Sequence, residues 1–242
     1  MNIKTADQSL DHVFAGEQVE KRIVETVTSN FDEALASGAS GLTQHEDVRT
    51  WVKNPAMIQK IQPSLADFTR MLRLHGGNAS VLDVGCYGGY VYDYLHQMNV
   101  LDFTYTGIDI HPEVIDAACH MHRDNKNASF RVCDLFKLEQ EMAPRAFDFV
   151  ICSRVLVQVP FFQRALRNLY TVAGKAVMVI LAISDTSHAD KFERTNVATG
   201  KSQHVWFRYF TVKELDEAAQ ALGADFRVIQ GPRPYASYVL YR

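Results

Sequence analysis

The stretch Val81–Leu95, VLDVGCYGGYVYDYL, decides how this chain is read. Val81 to Val84 is a short apolar run broken by one acid, Asp83, and Tyr90 to Leu95 has the mixed spacing of an amphipathic helix. Between them lie Gly85, Cys86, Tyr87, Gly88 and Gly89. Strand, glycine loop and helix form the opening unit of a doubly wound sheet, where ligands sit outside the carboxyl ends of the strands. Glycines let the backbone approach a ligand and adopt positive φ, and the helix that follows offers unpaired N–H groups to an anionic end. An Asp ahead of the glycines repels a pyrophosphate but suits an ammonium or a water. The ligand favoured by both features carries a carboxylate and an amine. The competing reading is a tight corner with glycines kept only for packing.

Two more acids shift the balance. Asp109 closes the second strand in TGIDIHP, where an acid is placed to accept from both ribose hydroxyls. Asp134 closes the third in FRVCDLF, where a carboxylate can accept from an exocyclic amine. Either alone reads as a solvated strand end or a turn former; three at successive strand ends form a pattern. A nicotinamide dinucleotide fits poorly, since no G-x-G-x-x-G frame opens the first helix.

From Ser80 onward, strand-like runs alternate with helical ones. The strands are Val81–Val84, Phe103–Ile108, Ser129–Cys133, Phe147–Cys152 and Lys175–Ile183. The helices are Tyr90–Met98, Pro112–Arg123, Leu135–Met142 and Pro160–Val172. This rhythm predicts a mostly parallel sheet with helices on both faces. Thr211 and Glu214 have capping-box spacing, and Gly223 closes that helix. The last two runs, Asp225–Gln230 and Ala236–Tyr241, are joined by Gly231-Pro232-Arg233-Pro234, too short for anything but an antiparallel pair. Residues 1–78 read as helical. Val19, Ile23, Val27, Phe31 and Leu35 recur every four residues up to Gly38, Thr43 and Glu46 have capping-box spacing before Val48 and Trp51, and Asn54-Pro55 opens a helix that Pro63 is expected to interrupt. Leu65, Phe68 and Leu72 then carry the pattern to Gly76-Gly77.

Bulk properties narrow the class. The chain has 242 residues, 47% of them hydrophobic, and a formal net charge of -3, so no bulk charge draws it to nucleic acid or an anionic membrane. No run approaches the about 18 apolar residues of a membrane span. Cys86, Cys119, Cys133 and Cys152 are scattered without a CxxC pair, which suits reduced thiols in a cytoplasmic protein and no metal site.

From about Ser80 to Arg242 the chain resembles the class I S-adenosylmethionine-dependent methyltransferases. VLDVGCYGG is similar to their first motif, GIDIHPEVI to their ribose acid and following helix, and VCDLF to their adenine-side acid. FDFVICSRVLVQVP is similar to their fourth-strand segment, and the closing hairpin to their reversed seventh strand. The resemblance implies a Rossmann-like α/β fold and S-adenosyl-L-methionine as cofactor, leaving S-adenosyl-L-homocysteine. It implies that Gly85 and the Cys86–Gly89 loop line the methionine part and that Asp83 serves its amino group. Asp109 with Ile110 would hold the ribose side, Asp134 and Leu135 the adenine, and Ser153 and Arg154 would lie beneath the sulfonium. Two departures stand out. Tyr87 replaces the usual middle glycine, so its side chain must point away from the cofactor or cover it. Arg154-Val155-Leu156-Val157-Gln158 replaces an H-V-L-E-H pattern, which removes a base or metal from that segment. There is no N-P-P-Y-type sequence, which counts against amino-methylation of nucleobases.

The expected organisation is a helical cap over 1–78 on the acceptor side, a cofactor-binding domain over 79–242, and a lid insertion over 184–210. That insertion holds His188, Lys191, Arg194, Lys201, His204, Trp206, Arg208 and Tyr209. His204 is the base the sequence offers, Arg208 the anchor for an anionic acceptor, and His111, His120 and His122 read as helix-surface residues. The expected partner is a small-molecule acceptor, with no nucleic acid and no membrane; the sequence does not fix the oligomeric state. The alternatives are a methyltransferase acting on RNA or protein, a non-catalytic cofactor binder of the same fold, and an aminopropyl transferase.

Overall fold

The computed structural model describes residues 19–37, 55–196, 200, 202–230 and 235–242. Strand β1 (Val19–Val27) and helix α1 (Phe31–Ser37) come first, then α2 (Pro55–His75), β2 (Ala79–Val84) and α3 (Tyr90–Gln97). Next come β3 (Phe103–Asp109), α4 (Pro112–Met121), β4 (Ala128–Val132), a 3-10 turn (Leu135–Lys137) and α5 (Leu138–Glu141). The chain continues through β5 (Phe147–Ser153), α6 (Phe162–Val172), β6 (Ala173–Ala182), β7 (His188–Asn196) and β8 (Ser202–Tyr209). It closes with α7 (Val212–Ala221), β9 (Asp225–Gln230) and β10 (Tyr235–Tyr241).

Seven strands form a sheet of order β4-β3-β2-β5-β6-β10-β9, parallel except for β10, which runs antiparallel to both neighbours. The order reverses between β2 and β5, which puts the ligand crevice at the end of β2. The central strands are apolar throughout because both faces are covered. Leu82, Val84, Val150, Cys152, Val177 and Val179 face a core with α6 and α7. Val81, Phe149, Ile151, Met178 and Ile180 face one with α2 and α3, into which Leu65, Phe68 and Leu72 pack. Both terminal cues of α7 hold: Thr211 and Glu214 make a full capping box, and Gly223 follows at φ 64°.

The N-terminal segment departs from expectation. Val19–Val27 is a strand, pairing antiparallel with β7, which pairs in turn with β8. A repeat of four places side chains on one face of a helix, but it does the same in a strand, whose period is two. The residues between decide, and Lys21-Arg22-Ile23-Val24-Glu25-Thr26 is rich in β-branched residues. Helix α2 begins at Pro55 as expected but runs through Pro63 to His75. The region of Gly38, Thr43, Glu46, Val48 and Trp51, Lys201 and the Gly231–Pro234 connection lie outside the described residues. Cys86, Cys133 and Cys152 are buried, Cys119 is exposed, and all four are free. Among the described residues no helix is long and apolar enough to cross a membrane.

The 184–210 excursion is thus the β7–β8 hairpin, joined by β1 into a three-stranded antiparallel sheet. Its return strand is fastened to the main sheet. Arg208 donates its N–H to the Val157 carbonyl (2.7 Å), Phe210 to Ala182 (2.9 Å) and Ser184 to Phe210 (2.9 Å). The hairpin therefore stands over the carboxyl ends of β5 and β6.

Candidate active site

The Gly85–Gly89 loop is tied to the end of β3, because the N–H groups of Gly85 and Cys86 both donate to the Ile108 carbonyl, at 2.8 and 2.9 Å. Gly85 has φ 73°, and a Cβ there would lie 2.1 Å from Val155 Cγ2. Gly89, at φ 84°, caps α3. The corner itself thus requires both glycines. Gly88 is fixed from α4. His122 Nε2 lies 3.0 Å from the Gly88 carbonyl, and its Nδ1 lies 3.3 Å from Asn125 Nδ2. A carbonyl only accepts, so Nε2 is the donor toward Gly88. His122 and His111 are buried, not surface residues as expected. The helix phase carried this signal: His122 lies four residues after buried Ala118, and His111 four before buried Ile115.

Tyr87 occupies the position of the middle glycine at φ 51°, which costs an L-residue about 1–2 kcal/mol. Its ring stacks on Tyr90, centroids 5.6 Å apart and planes 17° off parallel, and its hydroxyl is buried without a hydrogen-bond partner. The side chain folds back against α3.

The three acids stand at the ends of β2, β3 and just past β4. Asp83 is 1% exposed, and its Oδ2 accepts from the Tyr105 hydroxyl at 2.5 Å. Burial pushes this carboxyl up to about 7; Tyr105 opposes the rise and the Asp109 charge adds to it. Below about pH 7 the protonated form is the stable one in the free fold. Asp83 therefore favours folding below its ordinary value of 3.8, and that contribution is lost as pH rises through about 7. An ammonium beside it would reverse the trend. Asp109 is also buried. Its Oδ1 accepts from His111 N (3.1 Å) and its Oδ2 from Tyr87 N (3.2 Å). Burial raises its pKa, against these bonds. A carboxylate has about four acceptor sites, so capacity remains for a ligand's hydroxyls. Next to it, Ile110 is 56% exposed. Asp134 accepts from Phe136 N at 2.8 Å, and Leu135 beside it is buried. Carboxylates at successive strand ends, with an apolar side chain left in water between them, suit an adenosyl group. Asp83 and the glycine loop suit its amino-acid tail.

In the hairpin sheet, which the sequence reading assigned to the acceptor, the decisive fact is strand parity. Side chains of β8 alternate between faces. Trp206, with Leu35 and Ala189, forms a small core against α1. Arg208 shares that face. It is 6% exposed, bonds Glu214 Oε1 at 2.9 Å and lies 4.3 Å from the Phe31 ring centre. His204, also on that face, is half exposed, with Nε2 3.8 Å from Glu193. The other face carries Phe207 and Tyr209. Phe207 meets Tyr235 edge-on at 6.3 Å, and Arg154 lies over the Tyr235 ring at 4.4 Å. The expected base and anchor, His204 and Arg208, therefore stand on the face turned away from this cluster. The side chains that meet it are one position along the strand. Ser153 ends β5, Arg154 follows it, and Val155 beyond packs on Gly85.

The family model described as a methyltransferase domain matches residues 75–221. No curated protein matches the chain. Among solved structures, an S-adenosylmethionine-dependent methyltransferase from Aquifex aeolicus is similar at 18% identity and TM-score 0.51, covering 78% of this chain and 97% of that one. An amino pentose methyltransferase from Micromonospora echinaspora, solved with SAM bound, is similar at 17% identity and TM-score 0.53, covering 73% and 89%. DhpI, solved as a complex with SAH, is similar at 22% identity and TM-score 0.57, covering 80% and 92%. Identities this low speak for the fold; the family match covers more than half of the chain. The chain belongs to the methyltransferase-domain family and has the fold of the S-adenosylmethionine-dependent methyltransferases.

Proposed function

We propose that this methyltransferase acts on a small molecule held between the carboxyl ends of β5 and β6 and the Phe207–Tyr209 face of the hairpin sheet. The observation that carries this reading is the aromatic wall of Phe207, Tyr209 and Tyr235 next to Arg154. Aromatic rings exclude water and position a compact acceptor. The runner-up, an RNA or protein substrate, calls for unpaired basic surface. Among the described residues, three cations of the hairpin sheet are matched instead by acids, Arg22 by Glu193, Lys191 by Glu25 and Arg208 by Glu214.

In this reading Asp83 and Gly85 to Gly89 hold the amino-acid end of S-adenosylmethionine. Asp109 and Ile110 hold its ribose side, Asp134 and Leu135 its adenine, and Ser153 lies under its sulfur; Arg154, which the resemblance set beside Ser153, has its guanidinium over the Tyr235 ring and is not assigned to the cofactor. The bound cofactor supplies a methyl group made electrophilic by its sulfonium. The chain's own contribution is to fix the acceptor in line and keep water out, which can supply much of the acceleration. A base is needed only where the acceptor must lose a proton, and His204 is not placed to act as one. The test is incubation of the protein with methyl-labelled S-adenosylmethionine and a cell extract separated by size. Label is expected in the small-molecule fraction. Label confined to RNA or protein would overturn the proposal.

A further inference from the structure

Arg154, one residue before the Val155 that packs on Gly85, combines three observations that no other described arginine brings together. Its backbone is at φ 63°, held by its N–H donating to the Ile180 carbonyl at 2.7 Å. Strain of this kind persists where the surroundings over-determine it, and it clusters at ligand sites. Its guanidinium lies 4.4 Å over the Tyr235 ring, with Nε buried and lacking a hydrogen-bond partner. Among the described residues no carboxylate pairs with it, whereas Arg22, Lys191 and Arg208 each meet an acid. From Tyr235 the wall continues through Phe207 to Tyr209, 5.3 Å from Phe207, and to His188, stacked on Tyr209 at 4.4 Å and 11°.

A guanidinium fixed on an aromatic platform offers a planar fork of donors, the geometry that recognises carboxylate and phosphate. The rings beside it suit a flat, apolar body. Resting on the methyltransferase reading above, we infer that Arg154 anchors the acceptor and that the acceptor is a ring-bearing anion, a carboxylate or a phosphate. Arg208, which the sequence offered for this role, is committed to Glu214.

The test uses the full chain saturated with S-adenosylhomocysteine, titrated in parallel with benzoate, phenyl phosphate and neutral benzamide. At least one anion is expected to bind about tenfold or more tightly than benzamide, the scale of hydrogen bonds to a charged group. The tighter of the two identifies the anion class. Arg154→Gln is expected to abolish the preference and leave S-adenosylhomocysteine affinity unchanged. Equal binding of all three probes to the wild type, or a preference that survives in Arg154→Gln, overturns the inference. A matching loss of S-adenosylhomocysteine affinity in that variant assigns the arginine to the cofactor's carboxylate and also overturns it, with the methyltransferase reading intact. Failure of the wild type to bind S-adenosylhomocysteine would instead sink that reading. Should Arg154→Gln not fold, Arg154→Lys decides: it keeps the charge and loses the fork, and an undiminished preference counts against the inference.

Discussion

Arg208→Ala is expected to lower stability by about 3 kcal/mol, the lower end of the range for removing one partner of a buried ion pair. The guanidinium is almost wholly buried, bonded to Glu214 and lying 4.3 and 4.5 Å from the Phe31 and Phe210 ring centres. Its loss leaves Glu214 short of a partner, while the Thr211 and Ser187 bonds to that carboxylate survive. It also enlarges a space of about 430 Å³ lined by Asn30, Phe31, Asp32, Glu33, Gln163 and Arg208 itself. For a chain of this length about 3 kcal/mol corresponds to a fall of roughly 6–12 °C in Tm. Affinity for S-adenosylhomocysteine, measured well below the melt, is expected to be unchanged. His204→Ala, at an exposed position, is expected to stay within about 0.5 kcal/mol of the wild type. An Arg208→Ala protein that melts normally but has lost methyl transfer would show that the face assignment of β8 is wrong.

Gly85→Ala is expected to cost a comparable amount, because two penalties act together. The residue sits at φ 73°, where an L-residue loses about 1–2 kcal/mol. The added Cβ also falls 2.1 Å from Val155 Cγ2, and valine is stiff at χ1, so the clash adds about 1–3 kcal/mol. A combined loss of about 2–5 kcal/mol should show in denaturant melts, with weakened cofactor binding as the loop shifts. Val155→Ala in the same chain removes the clash but not the backbone strain. The double variant is therefore expected to recover part of the stability of Gly85→Ala. If Gly85→Ala is as stable as wild type and binds S-adenosylhomocysteine normally, the tight corner described here does not exist.

The two halves of the chain differed in how far the sequence could be read. From Ser80 on, burial on both faces leaves apolar runs of strand length, and Pro112, Thr211 and Gly223 mark helix ends by local chemistry. Hence the seven strands of the main sheet, the reversed β10 and the three acids at strand ends were legible, while β7 was not. Val19–Val27 was not, because a four-residue repeat satisfies both periods and the partner that settles it, β7, lies about 170 positions away. The parity of β8 was illegible for a related reason. Alternation in HVWFRYF separates His204 and Arg208 from Phe207 and Tyr209, but docking on β6 and α1 determines which set meets Arg154. His122 was a different case: its phase on α4 was available and pointed inward.

Calorimetric titration with S-adenosylhomocysteine near pH 8 and near pH 6 tests the central claim most directly. One binding event is expected at both values. Asp83 must ionise to receive the ammonium, and burial holds its pKa in the free protein at about 7. Near pH 8 the carboxylate is already charged. Near pH 6 binding must expel its proton, so affinity is expected to be about tenfold weaker, with nearly one proton released to the buffer. Asp83→Asn should lose that pH dependence. No binding of S-adenosylhomocysteine at either pH by folded protein, with NADH binding in its place, would contradict the account.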